Sequence, residues 1–205
     1  MLALQKKNKF GEFCKDCSQP YYLNGVWIAG DYNNKIISKL IKNIKYHFAK
    51  DISEVISKFL NIFLGSLISR YNIIHPEELE IKTLEKFNNS IIIPVPLHKK
   101  RKKWRGFNQS EIIAKKLVKN FQLKNNLDTK NLIRIKHKKA QVKLSKKERE
   151  KNIKDCFFWI GKNLKNKNII LIDDVTTTGS TLNECAKVLK NNGAKEVWGL
   201  VIANG

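Results

Sequence analysis

With 205 residues, 42% of them apolar and only four prolines, the chain can bury one main core plus a small appendage. Its 40 Lys+Arg against 18 Asp+Glu leave a formal charge of +22, which points to a polyanionic partner, because each neutralised phosphate releases a counterion. No secretory leader is expected, because Gln5-Lys6-Lys7 directly follow Met1-Leu2-Ala3-Leu4, and no membrane span, because the most lipid-like stretch, Phe59 to Ile68, is short and broken by Asn61, Gly65 and Ser66.

A cytosolic, soluble protein is therefore expected, and its four cysteines are expected to stay reduced. A biased base composition rich in Lys, Asn and Ile explains many of the lysines but not the shortage of acids.

The first segment, residues 1–24, carries Cys14-Lys15-Asp16-Cys17 and reads as a knuckle or turn rather than a domain. Gly25 to Gly30 is an apolar run between glycines, a strand. Two amphipathic helices follow: Ile36, Ile37, Leu40, Ile41, Ile44 and Phe48 share one face of the first, and the second runs from Ile52 to Ile68 behind Asp51. A polar stretch from Tyr71 to Asn89 leads to Ile91-Ile92-Ile93, a buried-type strand stopped by Pro94 and Pro96. Gln109 to Phe121 has helical spacing.

Leu132 to Ile135 and Cys156 to Ile160 are two further strand candidates, separated by a very basic stretch. Ile169 to Ile172 is the clearest strand; a helix with Leu182, Cys185, Ala186 and Leu189 on one face follows, stopped by Gly193, and Val197 to Ile202 forms a last strand. Strand alternating with helix predicts an α/β fold, an open, mostly parallel sheet flanked by helices. The expected division is residues 1–24 and a main domain over 25–205, with a helical part at 33–70 and a core at 90–205.

The chemistry concentrates in Ile169-Ile170-Leu171-Ile172-Asp173-Asp174-Val175-Thr176-Thr177-Thr178-Gly179-Ser180-Thr181. Four apolar residues bury a strand, and two carboxylates emerge at its carboxyl end, where ligands sit in open α/β sheets. Thr176, Thr177, Thr178, Gly179, Ser180 and Thr181 then turn into a helix, offering hydroxyls, successive N–H groups and the positive end of the helix dipole to a phosphate monoester. Asp173 and Asp174 suit ribose hydroxyls, or water around a hard cation such as Mg²⁺. The simpler alternative is a turn whose acids cap loop N–H groups. A P-loop reading fails because no G-x-x-x-x-G-K-[ST] occurs, and a Rossmann reading lacks its glycine pattern.

The segment resembles the phosphoribosyl pyrophosphate (PRPP) motif of type I phosphoribosyltransferases. That resemblance implies a type I phosphoribosyltransferase-like fold, with Asp173 and Asp174 on the ribose hydroxyls and Mg²⁺, and Thr176 to Thr181 on the 5-phosphate. Transfer from PRPP would release pyrophosphate, so cations must meet the leaving group. Leu97, His98, Lys99, Lys100 and Arg101, in a basic loop after the strand at Ile91 to Ile93, are the candidates. Such a loop could equally be solvated, or serve nucleic acid without touching pyrophosphate.

Two further stretches resemble the ComF family of bacterial competence proteins: Pro94-Val95-Pro96-Leu97 followed by Arg105-Gly106-Phe107-Asn108-Gln109-Ser110-Glu111, and the spaced Arg134, Gln141, Leu144, Arg149, Asn152 and Phe157. With the PRPP segment they span Ile91 to Ile202. The resemblance implies a role in DNA uptake during natural transformation, alongside competence or DNA-processing proteins. Single-stranded DNA is the expected polymer, with Lys99, Lys100, Arg101, Lys102, Lys103, Trp104, Arg105, Lys138 and Lys139 as candidate contacts, since cations interleaved with aromatic faces suit single strands.

The stretch from Arg134 to Lys151, with nine Lys/Arg, reads either as a mobile loop closing over the site or as a DNA-contacting flap. Members of the family usually begin with two C-x-x-C pairs that hold Zn²⁺; here Cys14 and Cys17 supply half a ligand set, to be completed by an earlier start, by His47 or another group, or not at all. Cys156 and Cys185 read as core. Three functions are therefore open: a transferase acting on PRPP with an unknown acceptor, a non-catalytic PRPP-sensing or DNA-binding module, and nucleobase salvage.

Overall fold

Apolar runs covered on both faces favour a parallel sheet, and the described residues supply four such strands. The computed structural model describes residues 21–46, 50–74, 89–121, 127–136 and 152–205. Strands β1 (Gly25–Asp31), β2 (Ser90–Pro94), β5 (Asn168–Thr176) and β6 (Glu196–Asn204) form a four-stranded sheet in the order β1-β6-β5-β2. All three pairings are parallel. The expected open parallel sheet flanked by helices is therefore borne out.

Side-chain alternation along β5 splits the core into two layers. Ile170 and Ile172 face helices α1 (Lys35–Tyr46), α2 (Lys50–Ile74) and α4 (Gln109–Asn120), packing with Ile41, Ile56, Leu60, Ile113 and Leu117. Ile169 and Leu171 face α5 (Ser180–Asn191), packing with Leu182, Cys185, Ala186 and Leu189. Trp27 of β1 stacks on Trp198 of β6 with ring centroids 4.8 Å apart. Among the described residues no helix is long and apolar enough to cross a membrane.

Two expectations need correction. Lys99 to Arg105 is not a loop but a helix, α3 (Lys99–Arg105). The cause lies at its ends: the His98 side chain accepts from the Lys100 amide, and Gly106, at φ 82° in the left-handed region, closes the other end with its N–H on the Lys102 carbonyl. The intervening Lys and Arg residues are good helix formers.

The two strand candidates at Leu132 to Ile135 and Cys156 to Ile160 do form, as β3 (Leu132–Arg134) and β4 (Phe157–Trp159), which pair antiparallel with each other outside the main sheet. Their inner residues, Leu132, Phe157 and Trp159, join the α5-side layer. Secondly, α2 continues through Ile74, past the end expected for the helical part at residue 70. Cys156 and Cys185 are fully buried, as read. Burial, reinforced by the charge of Asp173, pushes the Cys185 thiol well up, so it behaves as an inert core group. Cys14, Cys17, His47, Lys138 and Lys139 lie outside the described residues.

Candidate functional site

Three segments meet at the carboxyl ends of β2 and β5. The first is the end of β5 and the turn after it. Asp173 and Asp174 remain in strand geometry, paired with β6, beyond the point where the pairing with β2 stops at Ile172. Asp174 is only 5% exposed and Asp173 is half-buried. Each Asp carboxylate also caps the backbone beyond it: Asp173 Oδ1 accepts from the Asp174 amide at 2.9 Å, and Asp174 Oδ1 from the Val175 amide at 2.8 Å.

Gly179, at φ 74°, takes the left-handed conformation that swings the chain from the loop into α5. The first-turn amides of α5 have no intrahelical acceptors, and the helix dipole points its positive end at the same place. Thr178 and Ser180 share a 2.6 Å hydroxyl contact across this turn. Thr176 is buried, Thr177 exposed, and Thr181 half-buried.

The second segment leaves β2. Val95 continues the register through its amide to the Ile172 carbonyl at 2.9 Å, and Asn108 Nδ2 donates to the Val95 carbonyl at 3.0 Å. Leu97, His98 and Lys99 then line a cleft of about 330 Å³ whose opposite wall is β3. Lys102 also lines it, paired at 3.3 Å with Glu111. Burial works to raise the Glu111 pKa, but hydrogen bonds from Lys115 and Lys102 prevail and hold it below its ordinary value. Lys100 and Arg101 do not line the cleft; Lys100, Lys103 and Trp104 sit on the exposed surface of α3, with Trp104 75% exposed.

The third segment is the start of α4, whose roles sequence reasoning missed. Ser110 Oγ donates to Asp173 Oδ1 at 3.0 Å, and Gln109 Nε2 to Asp174 Oδ2 at 3.5 Å. Arg105, a candidate DNA contact, gives Nη1 to Gln109 Oε1 at 2.7 Å. The available signal was Asn108-Gln109-Ser110, three polar residues opening a helix whose next turns are apolar. Arg134 and Lys130, also on the cleft, were missed as site residues. Burial pulls the Arg134 guanidinium below its ordinary value; Arg101 pushes the same way and Asp173 opposes.

The donor set can be tested against a metal. Among the described residues no cluster of three or more His, Cys, Asp or Glu could cage one. Two adjacent carboxylates with hydroxyls nearby nevertheless fit Mg²⁺, which keeps its waters and arrives with substrate phosphates.

Residues 105–204 match the phosphoribosyl transferase domain. The chain is ComFC-like and carries a phosphoribosyl transferase domain. It is 41% identical over 117 residues to Competence protein F of Haemophilus influenzae, covering 55% of this chain and 50% of that one. Competence protein ComFC of Bacillus subtilis is 26% identical over 196 residues, 89% of this chain and 73% of its own. The DNA utilization protein YhgH of Escherichia coli K12 is 35% identical over 109 residues, 52% and 47% respectively. The chain thus spans about half the length of the Haemophilus and Escherichia relatives. The phosphoribosyl transferase match begins at Arg105, so it takes in the carboxylates, the turn, α4 and the β3 wall of the cleft but not Leu97 to Lys99; the carboxylates and the turn do not themselves line that cleft.

Proposed function

We propose that this ComFC-like protein binds PRPP with Mg²⁺ at the ends of β5 and β2 and grips single-stranded DNA, in the service of DNA uptake. The observation that carries the reading is the placement of Asp173 and Asp174 immediately before the left-handed turn at Gly179, so that paired carboxylates and a helix N-terminus sit a few residues apart. The ribose diol goes to the carboxylates and the 5-phosphate to the Thr176–Thr181 turn. Pyrophosphate then extends toward Leu97, His98 and Lys99, with Lys100 and Arg101 on the following helix.

Mg²⁺, when bound, offsets charge on the pyrophosphate. The chain's own residues orient the ribose and supply cations where negative charge grows as the bond from C1 to pyrophosphate breaks. A phosphoribosyl transfer to an acceptor is the reaction class such a site serves. DNA uptake is supported by the names of the relatives, Competence protein F and ComFC. Single-strand binding is supported by the exposed Trp104 among Lys99, Lys100 and Lys103.

Calorimetry tests the first part: PRPP should bind wild type with Mg²⁺ and fail to bind Asp173→Ala/Asp174→Ala. Full binding by that double variant would overturn the site. Transformation frequency of the same variant separates the roles, since a non-catalytic DNA-binding module would keep transforming.

A further inference from the structure

We propose that Ser110, and Arg105 acting through Gln109, are positioning residues that aim the two carboxylates before any ligand arrives. This rests on the PRPP reading above and deepens it. Adjacent residues on a strand leave opposite faces, so neighbouring aspartates cannot be held by one partner. The start of α4 supplies two. Ser110 Oγ and the Asp174 amide converge on Asp173 Oδ1 at 3.0 and 2.9 Å, and two donors on one oxygen fix the plane of that carboxyl. Asp174 is held through Oδ1 by the Val175 amide at 2.8 Å and approached at Oδ2 by Gln109 Nε2 at 3.5 Å.

The orientation of Gln109 follows from chemistry. A guanidinium only donates, so the 2.7 Å contact from Arg105 Nη1 must fall on the amide oxygen, which leaves the NH₂ group to face Asp174. Rotating the amide would set N–H against N–H at one end and oxygen against carboxylate at the other. Arg105 thus fixes the polarity of Gln109, and Gln109 delivers a donor to the acid. The left-handed Gly106 makes this reach feasible, because it ends α3 and lets the chain turn back into α4 within three residues of Arg105. Asn108 anchors that turn on the Val95 carbonyl. Gln109 and Ser110, 5% and 1% exposed, are polar side chains buried against the site, where an apolar pair would serve packing alone.

The assignment also separates Arg105 from its cationic neighbours. Lys100 and Lys103 face solvent, whereas Arg105 is committed inward.

The test is PRPP binding by calorimetry in excess Mg²⁺, on the full chain, for Ser110→Ala, Arg105→Met, Gln109→Met and the Arg105→Met/Gln109→Met double variant, each with its melting curve. Each single variant should bind about 10- to 100-fold more weakly, the usual effect of removing a group that orients a ligating side chain. The double variant should bind no more weakly than the worse single, because the arginine acts through the glutamine. Gln109→Glu, nearly isosteric, keeps a partner for Arg105 but turns an acid toward Asp174, and should bind as weakly as Gln109→Met. Variants within twofold of wild type would overturn the proposal, as would losses that add in the double variant. Wild type that fails to bind PRPP with Mg²⁺ would overturn the underlying reading and this proposal with it, whereas wild-type binding that survives these variants would overturn the positioning role alone. If Ser110→Ala does not fold, the Arg105 and Gln109 cycle decides by itself.

Discussion

Arg134 lies over the ring of Phe157, its guanidinium carbon 5.5 Å from the ring centroid, and the two residues are direct partners across the β3–β4 pair. The contact places a half-buried cation in the wall of the cleft that also holds Leu97, His98 and Lys99. Replacing Arg134 by Met keeps an unbranched stem on the ring and removes the charge. Stability should stay within about 1 kcal/mol, the scale of such a contact. Affinity for inorganic pyrophosphate, measured by calorimetry, should fall several-fold.

Phe157 itself is 3% exposed and belongs to the α5-side layer. Phe157→Ala should cost about 3–5 kcal/mol in urea unfolding, because the hairpin can collapse only partly into the void. A smaller loss would mean that β3 and β4 are loosely attached to the core.

Gly106 offers a clean backbone test. A Cβ built there meets nothing within 4 Å, yet φ is +82°. Gly106→Ala should therefore destabilise through conformation alone, by about 1–2 kcal/mol, and Gly106→Asn by less. Thermal melts of the pair would show the order; equal melting points would mean that the left-handed turn is not maintained.

Glu111 gives a pH dependence with a definite sign. Its folded-state pKa lies below the ordinary 4.5 because Lys115 and Lys102 outweigh burial, so the unfolded chain binds the proton more tightly. The stabilisation is complete above the unfolded value and declines as the pH falls through it toward the lower folded value. The gap in melting temperature between wild type and Glu111→Gln should be open at pH 6 and shrink as the pH falls below about 4.5. A gap that widens with acid would contradict the ion pairs.

The DNA reading predicts a steep salt dependence. Binding of a labelled single strand, followed by anisotropy, should weaken strongly between about 50 and 200 mM salt. Lys100→Glu/Lys103→Glu should weaken it further and flatten the slope, and an unchanged affinity would remove α3 from the interface.

Legibility in the sequence tracked how local the cause was. Ile169 to Ile172 could only be a buried strand, and acids following it had to emerge at its end, so Asp173 and Asp174 were found from a few consecutive residues. Helix α3 was missed because none of its residues is buried, which leaves no apolar stripe to read; its determinants are the two caps, His98 and Gly106. The β3–β4 strands were seen, but three-residue strands do not announce their partner, and only packing beside α5 sends them out of the main sheet. The Ser110–Asp173 contact joins residues 63 positions apart, so nothing short of the tertiary fold could disclose it.

The strand order has a consequence for biosynthesis. Among the described strands β1 pairs only with β6, which follows the others in sequence. β2 can pair with β5 before β6 is in place, but Trp27 on β1 stays unstacked until β6 delivers Trp198. A chain truncated before Glu196 would thus leave β1 without a neighbour among the described strands, an adhesive apolar edge for chaperones to shield.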